Sequence, residues 1–192
     1  MSTRYKFRDP NATYFVTLTV VNWVDVFTRN EYRQIVVDSI SYCIAHKGLI
    51  AHAWVVMSNH VHLLISLDQD SSNTLSDIMR DMKKFTAMHL VKAVRENRQE
   101  SRSGWMLHMF DREGKYNSNN KNYQFWQQDN HPVQIHTHNH CYEVLQYIHQ
   151  NPVKAGWVED ADTYLWSSAR DYAGRKGLIP VVCLEPVAIK TV

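Results

Sequence analysis

Apolar residues fall along the chain in two rhythms. "TYFVTLTVV", Thr13 to Val21, is rich in β-branched and aromatic residues and predicts a strand. Thr17 and Thr19 alternate there with Val16, Leu18 and Val20, so one face is less apolar. From Asn30 to Gly48 the spacing of Ile35, Val36, Ile40, Cys43 and Ile44 is helical, with Gly48 as the stop. "LIAHAWVVM", Leu49 to Met57, and "HVHLLISL", His60 to Leu67, predict two more strands, joined into a hairpin by the turn signal "SNH". Leu75, Ile78, Met79, Met82, Met88, Leu90 and Val91 mark a second helix, with Ser72, Asn73 and Thr74 as candidate N-caps. Arg98 to Asn122 is polar, Gly/Asn/Ser-rich in its second half, and predicts a long loop. "YQFWQQ", Tyr123 to Gln128, predicts a short fourth strand, and Asn139 starts a helix through "CYEVLQYIHQ". Beyond Trp166 the pattern is irregular. The order β-α-β-β-α-loop-β-α predicts an α+β, ferredoxin-like fold: an antiparallel sheet with two helices on one face, plus an extra C-terminal helix. We read one domain over residues 1–172 and a C-terminal tail over 173–192.

Two constellations break the apolar patterning. His60 and His62 are two apart in a strand, so both imidazoles point to one face, about 6–7 Å apart along the chain. So placed they can converge on one metal ion, or be ordinary buried, hydrogen-bonded histidines. A metal site would need a third ligand and a position open to substrate. "HTHNH" repeats the spacing at His136, His138 and His140, but its flanks are polar and it reads as a loop leading into a helix. The second constellation is "VLQYIHQNPVKAG", where Tyr147 and Asn151 lie four apart, one turn of helix on one face. A tyrosine hydroxyl beside a phosphate can act as a covalent nucleophile, and an asparagine amide oxygen is a hard ligand suited to Mg²⁺ or Mn²⁺. Tyr147 equally fits an amphipathic core tyrosine. Asn151 precedes Pro152, which disfavours helical backbone before it and reads as a cap with proline opening a short turn closed by Gly156.

Composition narrows the classes. With 192 residues and 44% hydrophobic content the chain can bury a core, which excludes a disordered or low-complexity protein. Three scattered cysteines without a CxxC give no disulfide framework and no cysteine-rich zinc site, which fits a reducing cytoplasm. No apolar run reaches the length of a membrane span, and the N-terminus shows no signal-peptide pattern. A net charge of only +2 means that any nucleic-acid footprint must be local. "RDMKKFT" offers one in Arg80, Lys83 and Lys84, followed by Lys92, Arg95 and Arg98. Trp126, Trp157 and Trp166 are candidate stacking residues, and all of these side chains also fit a solvated helix face or a core.

"MSNHVHLLI", "FWQQDNHPV", "YIHQNPVKAGWV" and "YLWSSARDY" occur in this order, and the resemblance they carry covers Tyr14 to Tyr172. Together they resemble the REP-associated tyrosine transposases, relatives of the IS200/IS605-type single-tyrosine transposases. The tyrosine-bearing motif is the specific part; a histidine pair alone is weak. The resemblance implies a ferredoxin-like HUH nuclease fold and a cytoplasmic enzyme that nicks and joins single-stranded DNA beside hairpin-forming repeats. His60 and His62 match the HUH pair, with Val61 in the hydrophobic middle slot. Tyr147 matches the nucleophile, and Asn151 matches the polar position that completes the metal site. The resemblance thus implies a Mg²⁺ or Mn²⁺ cofactor, a 5′-phosphotyrosine intermediate and a free 3′-OH, with no membrane partner, in a monomer or, as in relatives that exchange the tyrosine helix, a dimer. Two rivals remain: a non-catalytic DNA-binding module of the same fold, and a phosphodiesterase that uses water as nucleophile.

Overall fold

The structure, a computed structural model, describes residues 7–116, 122–128 and 132–184. Strands β1 (Tyr14–Thr19), β2 (Leu49–Val56), β3 (His60–Leu67) and β4 (Val133–Gln134) form one sheet in the order β2-β3-β1-β4, every neighbouring pair antiparallel. The helices are α1 (Asn30–Lys47), α2 (Leu75–Glu96), α3 (Ser103–Lys115), α4 (His138–Lys154) and the single turn α5 (Ala169–Tyr172). No helix among the described residues is long and apolar enough to cross a membrane.

Strand alternation gives the sheet two different faces. Val16, Leu18, Trp54, Val56, Val61 and Leu63 share one, all buried, and α1 and α2 cover it. The ends of these helices are written in the sequence. Thr74 caps α2, its Oγ1 accepting the Asp77 N–H at 3.1 Å. Gly48 ends α1 in the left-handed region, φ 73°, where a Cβ would also come within 2.6 Å of Ser71. The other face carries Phe15, Thr17, His60, His62 and Leu64, and α4 crosses it on a buried stripe of Val144, Leu145, Ile148, His149 and Pro152.

The β2 edge is not left open. Val56 N–H donates to Trp166 O at 2.9 Å and Ser168 N–H to Trp54 O at 3.0 Å. Tyr164 and Tyr172 donate their hydroxyls to Val56 O and His52 O. "YLWSSARDY" is therefore an edge cover that removes a row of free donors and acceptors. His149 joins α4 to it, Nε2 lying 2.9 Å from Ser168 Oγ. The first residues of the tail take part as well, since Val182 N–H donates to Ala51 O and Ile179 is buried. Residues 185–192 lie outside the described residues.

Three expectations need correction. Within Arg98–Asn122, expected as loop, Ser103–Lys115 is helix α3. Met106, Phe110 and Gly114 recur every four positions and are its buried face. Gly114 lies so close to Tyr123 that a Cβ would approach its Cα to 2.5 Å. Second, Tyr123–Gln128 is not a full strand. It runs beside the end of β1, with Val21 N–H to Phe125 O and Gln127 N–H to Thr19 O, both 2.8 Å, and one bridge between Val20 and Trp126. The Trp126 side chain turns into the core, where its Nε1 donates to Thr86 Oγ1 at 3.0 Å. The strand proper is β4, on the same edge of β1 opposite Tyr14 and Phe15. Third, the helix does not break at Asn151. It begins one residue early, at His138 behind the Thr137 cap, and continues through Pro152 to Lys154. Proline is tolerated there because only the last turn loses a donor.

One ionic cluster ties the loop after β1 to the corner between α2 and α3. Glu100, almost fully buried, accepts from Arg102 Nε at 2.9 Å and Arg29 Nε at 3.0 Å. These guanidiniums, Arg102 foremost, hold its carboxyl down at about 2. Arg102 also donates to Asp25 O and Thr28 Oγ1, both at 2.9 Å.

Candidate active site

The β1–β3 register sets Thr17 opposite His62 and Thr19 opposite His60. His62, 4% exposed, lies with Nδ1 2.8 Å from Thr17 Oγ1 and Nε2 3.4 Å from the Tyr147 hydroxyl. The second distance is long for a hydrogen bond to a hydroxyl, so it marks proximity more than strength. His60 begins the strand, its ring 4.6 Å from that of His62. Its Nδ1 is 2.8 Å from Asn59 Oδ1. The Asn59 amide is oriented by its other end, where Nδ2 donates to Asp25 Oδ1 at 3.0 Å and Trp23 O at 3.2 Å. Asn59 Oδ1 must then accept, which puts the His60 proton on Nδ1 and leaves Nε2 a bare lone pair. The same tautomer on His62 donates to Thr17 and presents Nε2 toward Tyr147.

Electrostatics keep both imidazoles neutral. Burial, with a smaller push from His60, drives His62 down to about 3. Burial also lowers His60, while Asn151 and Asp25 pull it partly back. The Asn151 Nδ2 is already donated to Tyr147 O at 2.9 Å. That leaves its oxygen as the group Asn151 can offer beside His60, whose one proton goes to Asn59 Oδ1. A cation between His60 and Asn151 would satisfy the acceptor left over. Two neutral imidazoles suit a transition-metal ion, and the hard amide oxygen suits Mn²⁺ or Mg²⁺, so the donor set fits Mn²⁺ better than Mg²⁺. Among the described residues no group of three or more His, Cys, Asp or Glu side chains is placed to hold a metal.

Tyr147 is 43% exposed above this pair. Its ring lies 5.1 Å from His62 and 5.9 Å, edge-on, from Phe15. Lys154 Nζ is 5.9 Å from the ring centre. His60, His62, Tyr147 and Asn151 are thus gathered in one place. The basic candidates are not. Arg80, Lys83 and Lys84 belong to α2, on the other side of the sheet. Arg80 is ion-paired with Asp77 at 2.7 Å and Asp81 at 3.1 Å. Lys83 Nζ donates to Gln127 O at 2.7 Å, holding the segment beside β1. Lys84 is exposed. Trp126 and Trp166 are core residues, whereas Trp157 is partly exposed against Tyr164. His136 and His138 are exposed at the start of α4, away from the pair in β3. Thr17, Asn59, Asp25, Phe15 and Lys154 escaped the sequence reading as site residues. The polar beat of Thr17 and Thr19 in an apolar strand was the one available signal.

Residues 10–113 match the family described as "Transposase IS200 like". That span includes the histidine pair and ends before Tyr147. A solved structure described as "Structure of the REP associates tyrosine transposase bound to a REP hairpin" is similar over 98% of this chain and 96% of its own, with a TM-score of 0.64 and 19% identity. No curated protein matches the sequence.

Proposed function

The chain belongs to the IS200-like transposase family, and we propose that it nicks and rejoins single-stranded DNA beside hairpin-forming repeats through a covalent link to Tyr147. The observation that carries this reading is the Tyr147 hydroxyl, 3.4 Å from His62 Nε2 although 85 residues away in sequence. The similarity to a transposase described as bound to a REP hairpin supports a hairpin as the address.

Tyr147 Oη attacks the scissile phosphorus as the bond from phosphorus to O3′ breaks. The tyrosine proton is released and the leaving O3′ takes one up. The products are a 5′-phosphotyrosine and a free 3′-OH. One phosphodiester is exchanged for another, so the step reverses onto any suitably placed 3′-OH and no nucleotide triphosphate is required. Lys154, its Nζ 5.9 Å from the tyrosine ring centre, places a positive charge beside the nucleophile. At about 3, His62 is too weak a base to take the phenol proton at neutral pH, so its part is to hold position and offer a lone pair. Thr17 and Asn59 fix the two rings through their Nδ1 atoms. A divalent ion held by His60, His62 and Asn151 would supply Lewis-acid stabilisation of charge on the phosphate. A phosphate held in a stacked duplex would not reach the buried His62 beneath α4, which favours a single-stranded substrate.

The test uses end-labelled oligonucleotides carrying the hairpin repeats that flank the gene. With Mg²⁺ or Mn²⁺ the expected products are a 3′-OH fragment and a protein–DNA adduct that survives denaturation, and EDTA should abolish both. Cleavage with no adduct would make the protein a hydrolase. Binding with no cleavage would make it a recognition module.

A further inference from the structure

Trp23 is exposed where an indole would ordinarily be buried. The flanking Val21 and Val24 are core residues, yet Trp23 is 59% exposed. Asn22 and Trp23 both take left-handed backbone, φ 53° and 56°, a conformation a bulky residue adopts only when its surroundings enforce it. The enforcement is visible. Asn22 Nδ2 donates to Glu113 Oε1 of α3 at 3.0 Å, and Asn59 Nδ2 donates to Trp23 O at 3.2 Å. Two residues on, Asp25 O accepts from Arg102 at 2.9 Å. The same Asn59 amide orients His60, so the Trp23 turn and the histidine pair are braced by one side chain.

The result is a row of rings. Trp23 stands 6.1 Å from His60, His60 4.6 Å from His62, and His62 5.1 Å from Tyr147. Tyr147 occupies one end and Trp23 the other. In phosphoryl transfer the attacking and leaving oxygens lie roughly in line across phosphorus. With the attack coming from Tyr147, the leaving O3′ and its sugar extend toward His60 and the indole beyond it. We propose that Trp23 is the stacking platform for the unpaired base immediately 5′ of the cut, the nucleotide whose 3′ oxygen leaves. This rests on the nicking reading above. An indole face accepts any base, so Trp23 positions the leaving nucleotide without selecting its sequence.

The cut is first mapped with the wild-type protein on a hairpin oligonucleotide. Single abasic substitutions are then placed on either side of it, and affinity is measured in a Tyr147→Phe background with and without Trp23→Asn. Asparagine tolerates left-handed backbone, so this change deletes the ring without adding strain to the turn. Trp23→Asn should weaken binding of the intact oligonucleotide about ten-fold or more, and Trp23→Phe should retain most of the affinity. The abasic nucleotide just 5′ of the cut should cost the Trp23 protein the same factor and cost Trp23→Asn nothing further. Coupling to a nucleotide 3′ of the cut would overturn the assignment, as would a full abasic penalty in Trp23→Asn. A changed oligomeric state with unchanged DNA affinity would assign Trp23 to a protein contact instead. Absence of any adduct with wild-type protein would sink the nicking reading itself, whereas a normal adduct with an indifferent Trp23→Asn would sink only the stacking role.

Discussion

Two stretches of this chain carry histidines two residues apart, and they have come to nothing alike. In β3, His60 and His62 point to one face, their rings 4.6 Å from each other, beneath α4. At the start of α4, His138 and His140 share the spacing, but residues two apart on a helix are turned by about 200° and diverge. His136 lies before the helix. The strand pair is half-buried to buried and each Nδ1 meets an oxygen, from Asn59 or Thr17. At the helix, the Thr137 hydroxyl serves the His140 backbone N–H and not its ring. Spacing by itself therefore says little. The backbone decides whether two imidazoles converge, and the neighbours decide which nitrogen each presents.

The largest effect should come from removing a ring. His60→Ala or His62→Ala should slow adduct formation by about a thousand-fold or more, with the thermal melt showing a folded protein. His138→Ala and His140→Ala should leave the rate unchanged. A strand variant with wild-type rate, or a helix variant without activity, would reverse the comparison. A smaller effect should follow from loosening the rings without removing them. Thr17→Val and Asn59→Ala should each weaken Mn²⁺-dependent activity by about 10- to 100-fold, with added metal restoring part of the rate. Loss that no metal concentration relieves would mean these residues serve the fold alone. The smallest effect is expected behind the sheet. Lys84→Ala should reduce the slope of log affinity against log salt for single-stranded DNA by about 0.7 and leave the adduct rate constant alone. Arg80, paired with two aspartates, should change that slope less than Lys84 does. An unchanged slope for Lys84 would make α2 a solvated face.

Much of this arrangement was legible in the sequence because strong local signals agreed with the tertiary structure. β3 runs from His60 to Leu67 as its apolar beat predicts, and the Gly48 stop and Thr74 cap fall where their chemistry suits them. α3 was illegible because only Met106, Phe110 and Gly114 of it are buried, a thin stripe in a polar stretch. Tyr123–Gln128 misled because Trp126 gives up strand alternation to reach Thr86. At Asn151 the local rule against helix before proline gave way to packing, since Ile148, His149 and Pro152 are all buried against the sheet and its edge cover. What places the candidate site could be read only in part. The four residues His60, His62, Tyr147 and Asn151 stand out in the sequence, but their partners Thr17, Asn59 and Asp25 come from other elements and acquire meaning through register. Trp23 depends on a left-handed turn that no composition signal announces.

The central claim is that the tyrosine brought over His62 is the nucleophile, and its most direct measurement is the site of the covalent DNA adduct. Wild-type protein is incubated with a labelled hairpin oligonucleotide and Mn²⁺, denatured, digested and mapped by mass spectrometry. The account predicts one phosphodeoxynucleotide, on the peptide carrying Tyr147, and none in Tyr147→Phe, which keeps the ring against Phe15 and His62 and should bind the hairpin normally. An adduct on Tyr142 or any other tyrosine, or one that persists in Tyr147→Phe, would contradict it.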